Sequence, residues 1–395
     1  MFTSNITKVV IVNFCQRFHL YIHAYALLLT ARGLTLFQIS LIESVVIGTI
    51  FVMEIPTGIL ADRVGRKWSI VLSTFFMMSG EFIFLFAQSY EWYLVMALIT
   101  GTGFAFASGA VEAMVYDSLP EKNRDNAMKQ AMGRVNSMGQ IAFFISPIVG
   151  GFIIRDASPE YFIPAIALTV LALFIGLLVS LTLREPTTEW SANKQNPLEL
   201  FRGGIHLLMN NSRLRRLALI VIFATPFTGT LVTTLAPPYL VQNDVSPFMI
   251  GVVLSVGSLL AAITQRYVYK LEAWLGQQMA IALLILVPGV MYWVLALVAG
   301  PALTVLVVIL MYGINDMKAP LFSAYQNALI KSQNRATVLS LINMFVSLFL
   351  AIVAPMYASL AQLSPMVAFM TMGGVIIMSG LLLRVHRLPV ADDAS

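Results

Sequence analysis

The chain has 395 residues, of which 58% are hydrophobic and 11% charged, with a formal net charge of +5. An ordinary soluble domain carries about 25% charged residues, and the apolar excess recurs along the whole length, so a water-soluble globule is excluded. Cys15 is the only cysteine, which rules out an intrachain disulfide.

Twelve apolar blocks follow one another, at 9–30, 37–60, 68–88, 93–117, 134–154, 161–183, 217–241, 247–267, 278–298, 302–329, 337–360 and 365–384. Each is long enough to cross about 30 Å of hydrocarbon at about 1.5 Å per residue. The predicted fold class is all-α: a polytopic membrane protein of twelve transmembrane helices in two six-helix bundles. No small-residue cleavage site follows the first block, which therefore reads as a retained helix and not a signal peptide.

An ionisable group inside hydrocarbon costs at least ~2.5 kcal/mol by insertion scales, so each one is a functional candidate. The first helix carries Arg17, His19, Tyr21, His23 and Tyr25. His19 and His23 stand four apart, on one face of a continuous helix, as do Tyr21 and Tyr25. A metal pair is one reading, but no further ligand is evident and no metal is expected; polar lining of a central cavity is the other. Arg17 either lines that cavity or snorkels to the inner surface. Helix two adds Glu43 and Glu54, eleven positions and so close to three turns apart on one face. Glu81 in helix three stands alone, equally readable as a structural acid or a functional one.

Helix two runs into "GILADRVGRK", with Gly58, Asp62, Arg63, Gly65, Arg66 and Lys67. Gly58 is expected to permit close helix approach and Gly65 a tight reversal. Helix four reads "GAVEAMVYDSL". Asp117 at its inner end is placed to pair with Arg66, and Glu112 lies deeper with Tyr116 on its face. Glu112 has no basic residue within a turn in sequence, which makes it the first candidate for proton coupling, ahead of Glu54 and Asp316. Helix five follows with Gln140 and "AFFISPIVGG", where Pro147, Gly150 and Gly151 read as a hinge.

The polar stretch Arg184–Arg216 divides six helices from six. Its second part, "LELFRGGIHLLMNNSRLRRL", is amphipathic enough to lie on the membrane surface, although Gly203-Gly204 weakens a helix there. In the second half, helix ten carries Asn315, Asp316 and Lys318, with Asp316 in the cavity and Lys318 facing another helix, or the reverse. Tyr325 follows in "YQNALIKSQNRAT", an echo of "YDSLPEKNRDNA" after helix four. A second echo pairs "ADRVGRK" after helix two with "KLEAWLGQQ" after helix eight. Their shared order predicts a parallel duplication, with domains at 1–184 and 217–395 joined by a linker at 185–216, and a binding site near the midplane. Arg17, Tyr21, Tyr25, His23, Glu43, Gln140, Asn315 and Tyr325 are the residues expected to line it.

Among basic residues, only Arg32 and Arg155 fall in loops on one side; Arg17 and Lys318 lie in apolar blocks and all others fall on the opposite side. By the positive-inside rule both termini are cytoplasmic. The positive charge is then an insertion signal, and no nucleic-acid partner is expected.

"GILADRVGRK" resembles the signature of the major facilitator superfamily, G-x-L-A-D-R-x-G-R-K, in the loop between helices two and three. The resemblance covers essentially the whole chain. It implies a secondary transporter of the plasma (inner) membrane, working by alternating access, with Gly58, Asp62, Arg63, Gly65, Arg66 and Asp117 forming a latch at the inner face. "AFFISPIVGG" resembles the family's antiporter motif, G-x-x-x-G-P-x-x-G-G, with its first two glycines replaced. The expected function is proton-coupled export of a lipophilic or amphiphilic small molecule, by a monomer embedded in lipid. Proton-coupled uptake of a nutrient is the alternative, and a transport-dead sensor a remoter one. No P-loop, G-x-S-x-G or H-E-x-x-H pattern occurs, so neither enzyme chemistry nor a cofactor is implied.

Overall fold

The computed structural model describes residues 4–120, 124–156, 158–186, 197–224, 230–318, 321–322, 325–326, 330 and 335–385. Helix is the regular structure of these residues. The elements are α1 (Ser4–Arg17), a 3-10 turn (Ile22–Ala24), α2 (Tyr25–Ala31), α3 (Leu36–Val64), α4 (Arg66–Phe86), α5 (Tyr90–Ala107), α6 (Ala110–Asp117), α7 (Arg124–Ile153) and α8 (Pro159–Leu181). They continue with α9 (Pro197–Asn210), α10 (Ser212–Ala224), α11 (Thr230–Gln242), α12 (Pro247–Leu275), α13 (Gln277–Leu297), α14 (Pro301–Asp316), α15 (Arg335–Leu363) and α16 (Pro365–Leu382).

Local chemistry sets the helix ends. Thr35 and Gln38 form a capping box before α3: Gln38 N donates to Thr35 Oγ1 at 3.2 Å, and Thr35 N donates to Gln38 Oε1 at 2.9 Å. Pro159, Pro247, Pro301 and Pro365 each open a helix, where a missing N–H costs nothing. Gly65 (φ 96°, ψ 170°) separates α3 from α4, and Gly276 (φ 76°, ψ 159°) separates α12 from α13. Both occupy a backbone region reserved for glycine, and both fall in the paired sequence echoes after helices two and eight.

Among the described residues, nine helices are long and apolar enough to cross a membrane, and Pro301–Asn315 is a shorter apolar helix. The predicted first span is divided into α1 and α2. The continuous first helix expected from sequence is thus corrected: it stops at Arg17, and His19 and His23 do not share a regular helical face. The fourth span is broken as well, between α5 and α6, at Gly109 in the left-handed region (φ 73°).

Two compact units emerge, one of Met1–Leu34, Leu41–Asn193 and Pro247–Ser255, the other of Thr35–Ser40, Lys194–Ser246 and Val256–Ser395. In the first, α4 packs on α5 and α8, and α1 packs on α7 and α8. Small residues make these approaches possible, as expected where lipid-like surfaces give no hydrophobic drive between helices. A Cβ on Gly103 of α5 would lie 2.9 Å from Met77 N of α4, and one on Gly176 of α8 would lie 2.9 Å from Cys15 Cβ of α1. Gly58 was expected to serve in the same way, yet no described atom lies within 4 Å of a Cβ built there; α3 is exposed around it and the close crossings lie elsewhere. In the second unit α13 packs on α16, where Gly289 and Gly373 face each other backbone to backbone. Despite Gly203-Gly204, α9 forms as one amphipathic helix and packs on α15 and α10.

Candidate transport site

The cluster at the α3–α4 turn is built by three parts of the first unit. Arg66 Nε lies 3.6 Å from Asp117 Oδ2 at the end of α6. Glu185, just beyond α8, accepts from Arg66 N at 2.6 Å and Lys67 N at 2.8 Å. Its carboxylate thereby caps the positive end of α4 and satisfies two N–H groups that lack helical partners. Gly65 is required twice over, because a Cβ there would lie 2.6 Å from Glu185 Cδ. Arg63 is exposed, and the side chain of Asp62 lies outside the described residues.

Deeper in the same unit, a cavity of about 460 Å³ opens beside the two interrupted spans. Asn13, Gln16, Arg17 and His19 come from the first, and Ser108, Gly109 and Glu112 from the second. Asn136 of α7 adds a third amide, and Ile22, Met77, Phe104, Met132 and Phe143 give the apolar wall. Interrupted membrane helices leave backbone and side-chain polar groups free to meet a ligand, and they mark binding sites in transporters. Glu112 stands exposed to this space in the first turn of α6. Tyr116, one turn on, makes no hydrogen bond to Glu112; its ring instead lies 5.0 Å under the Arg124 guanidinium.

Behind His19 lies a buried acid, Glu81. Tyr21 Oη donates to Glu81 Oε2 at 2.5 Å, and His19 Nδ1 lies 3.3 Å from Glu81 Oε1. Tyr21 stacks on Phe84, and Tyr25 packs beside both rings. So His19, a cavity residue, connects the cavity with an acid 7% exposed. Nothing in the linear spacing joins residues 19 and 21 to 81. The only signal was a lone acid in an otherwise apolar helix.

Of the residues expected to line a cavity, Arg17 lines this one and Tyr21, Tyr25, His23, Glu43 and Gln140 do not. His23 is fully buried, with its ring 2.8 Å from where a Gly150 Cβ would stand. Gly150 packs backbone to backbone on Leu20, whose carbonyl oxygen stands in the place that Cβ would take. One turn earlier, Gly251 meets Pro147 O, and Ser255 Oγ donates to Phe144 O at 2.8 Å. A proline interrupts the helical ladder nearby, and Ser255 supplies a donor to a carbonyl of that weakened turn. Gly151 lies against Phe248.

In the second unit, Asn315 and Lys318 are 4% and 2% exposed at the end of α14, while the side chain of Asp316 lies outside the described residues. Tyr325 Oη donates to Glu272 Oε1 at 2.7 Å. Glu54 is half-buried on α3.

The sequence matches the profile of the Major Facilitator Superfamily over residues 9–354. The chain belongs to the major facilitator superfamily. Multidrug resistance protein 2 of Bacillus subtilis (strain 168) is 27% identical over 283 residues, 70% of this chain and 68% of that one. A glucose/galactose transporter of Brucella abortus biovar 1 (strain 9-941) is 27% identical over 190 residues, 44% of each. Among solved structures, the nucleoside transporter NupG superposes with a TM-score of 0.78 at 13% identity, covering 97% of this chain and 99% of that one. At that identity the likeness establishes the fold alone. As a member of the major facilitator superfamily, the chain is a multi-pass membrane transporter of a small molecule, not an enzyme.

Proposed function

We propose that this transporter is a proton-coupled antiporter that exports a lipophilic or amphiphilic small molecule by alternating access. It would act as a monomer in the inner membrane, with both termini and the 185–216 linker cytoplasmic, and would bind no nucleic acid. The observation that carries the reading is the cavity itself: an apolar wall with an acid, Glu112, that has no hydrogen-bond or ion-pair partner among the described residues. Such an acid can take up and release a proton while substrate binds and leaves beside it. The resemblance of Ala142–Gly151 to an antiporter motif and the multidrug relative support the direction of transport.

In this reading Glu112 carries the proton, with Glu54 and Asp316 behind it and the His19–Glu81 pair as an internal relay. Arg66, Asp117, Asp62, Arg63 and the two glycines Gly58 and Gly65 act as the latch, and Pro147, Gly150 and Gly151 as the hinge. An exposed ion pair is worth about 0.2–1 kcal/mol. The part-exposed Arg66–Asp117 pair is therefore weak enough to break in every cycle.

Proteoliposomes with an acidic lumen test the proposal. External dansyl amphiphiles should accumulate inside while a trapped pH dye reports proton exit. Accumulation that instead requires an acidic exterior would select nutrient-type symport, the reading favoured by the sugar-transporting relative. Binding without flux in either direction would leave a sensor.

A further inference from the structure

We propose that the cavity of the first unit selects substrates bearing an anionic headgroup, held by the guanidinium of Arg17, with an aromatic or aliphatic body against the apolar wall. This rests on the transport reading above and narrows its substrate class from amphiphiles in general to amphiphilic anions.

Three observations carry it. Arg17 lines the cavity and makes no ion pair with any described residue, Glu112 on the same cavity included. An arginine inside a membrane span without a counter-ion is costly to keep, and a cavity ligand is the partner it lacks. Its placement is also built. Asn13 Nδ2 donates to Val135 O at 2.7 Å, which fixes that amide, and Arg17 Nε donates to Asn13 Oδ1 at 3.5 Å. That contact uses the inner N–H of the guanidinium and leaves its two terminal nitrogens to fork onto a carboxylate or similar oxyanion.

The third observation is Gly139 of α7. A Cβ there would lie 2.6 Å from Arg17 Cδ and 2.8 Å from Asn13 Nδ2. The absence of a side chain is what lets the arginine stem lie along α7. Gln16, the other amide nearby, is already committed, with Nε2 donating to Thr74 Oγ1 at 2.9 Å. The cation for a ligand is thus Arg17. Met77, Phe104 and Phe143 face the same space and give the body of the ligand a polarisable, aromatic surface.

Three probes share one fluorophore and differ in charge: dansylglycine is anionic, dansylamide neutral and dansylcadaverine cationic. Binding of each to the purified full chain in detergent, read by dansyl emission without any gradient, tests the selection. Dansylglycine should bind at least tenfold more tightly than dansylcadaverine. Arg17→Gln should weaken dansylglycine at least tenfold and leave dansylamide within about twofold, a comparison that also reports whether the variant is folded. Gly139→Ala keeps the charge but displaces the stem, and should weaken dansylglycine selectively as well.

Dansylcadaverine binding more tightly than dansylglycine, no binding of dansylglycine, or dansylglycine affinity unchanged in Arg17→Gln would each overturn the proposal. Because the measurement is made at equilibrium, its failure is distinct from failure of gradient-driven transport.

Discussion

Gly65 shows how much one residue can carry. Its backbone lies where residues with a side chain cost about 1–3 kcal/mol, and a Cβ would also strike the Glu185 carboxylate. Gly65→Ala should therefore lower thermal stability in detergent more than Gly58→Ala, whose added methyl meets open space. Equal losses in a thermal-shift comparison would show that the cap on α4 does not matter. Arg66→Ala and Asp117→Asn break a weak pair, so membrane insertion should survive while transport falls several-fold. Glu81→Gln keeps an acceptor for Tyr21 but removes the charge facing His19. We expect it to slow proton-linked transport and leave dansylamide binding unchanged, as fluorescence and pH-dye traces would report.

At the level of the element, the informative features are where helices fail to continue. The fourth span is broken at Gly109 and the first at Arg17, and the cavity lies at those breaks. Apolar content revealed both spans, since length and composition suffice to recognise a membrane helix. The breaks were not legible, because Phe18–Tyr21 and Ser108-Gly109 carry no proline and glycine is common in membrane helices. Glu112 and Arg17 could be singled out as ionisable groups in hydrocarbon; the His19–Glu81 contact could not, because it joins separate elements. Glu185 was hidden for the same reason, lying in what reads as a linker. The proline-glycine stretch of α7 was legible as small residues, and the structure shows what they touch. Gly150→Leu should abolish transport, because there is no room for a side chain against Leu20 O; retained activity in reconstituted vesicles would mean that the crossing can open without cost.

Over the whole molecule, the all-α membrane fold and the superfamily were readable from composition and one motif, while substrate and coupling depend on three-dimensional placement. The paired glycine turns after helices two and eight, Gly65 and Gly276, extend the internal echo from sequence into backbone geometry. Topology has a direct check: in a Cys15-free background, a cysteine at Ser191 should resist impermeant maleimide in intact cells and react in inverted vesicles. Coupling has an electrical one. Export of one anion in exchange for one proton moves two positive charges inward per cycle, so an inside-negative potential should accelerate it; a cation exchanged for a proton would show no such effect.

Glu112 is proposed to couple proton movement to substrate movement. Proteoliposomes with an acidic lumen, holding either the wild-type chain or Glu112→Gln, test it when dansylglycine accumulation is followed in time. The wild type should concentrate the probe against its gradient, whereas Glu112→Gln should bind it and equilibrate at most. Concentration by Glu112→Gln at the wild-type rate would contradict the assignment.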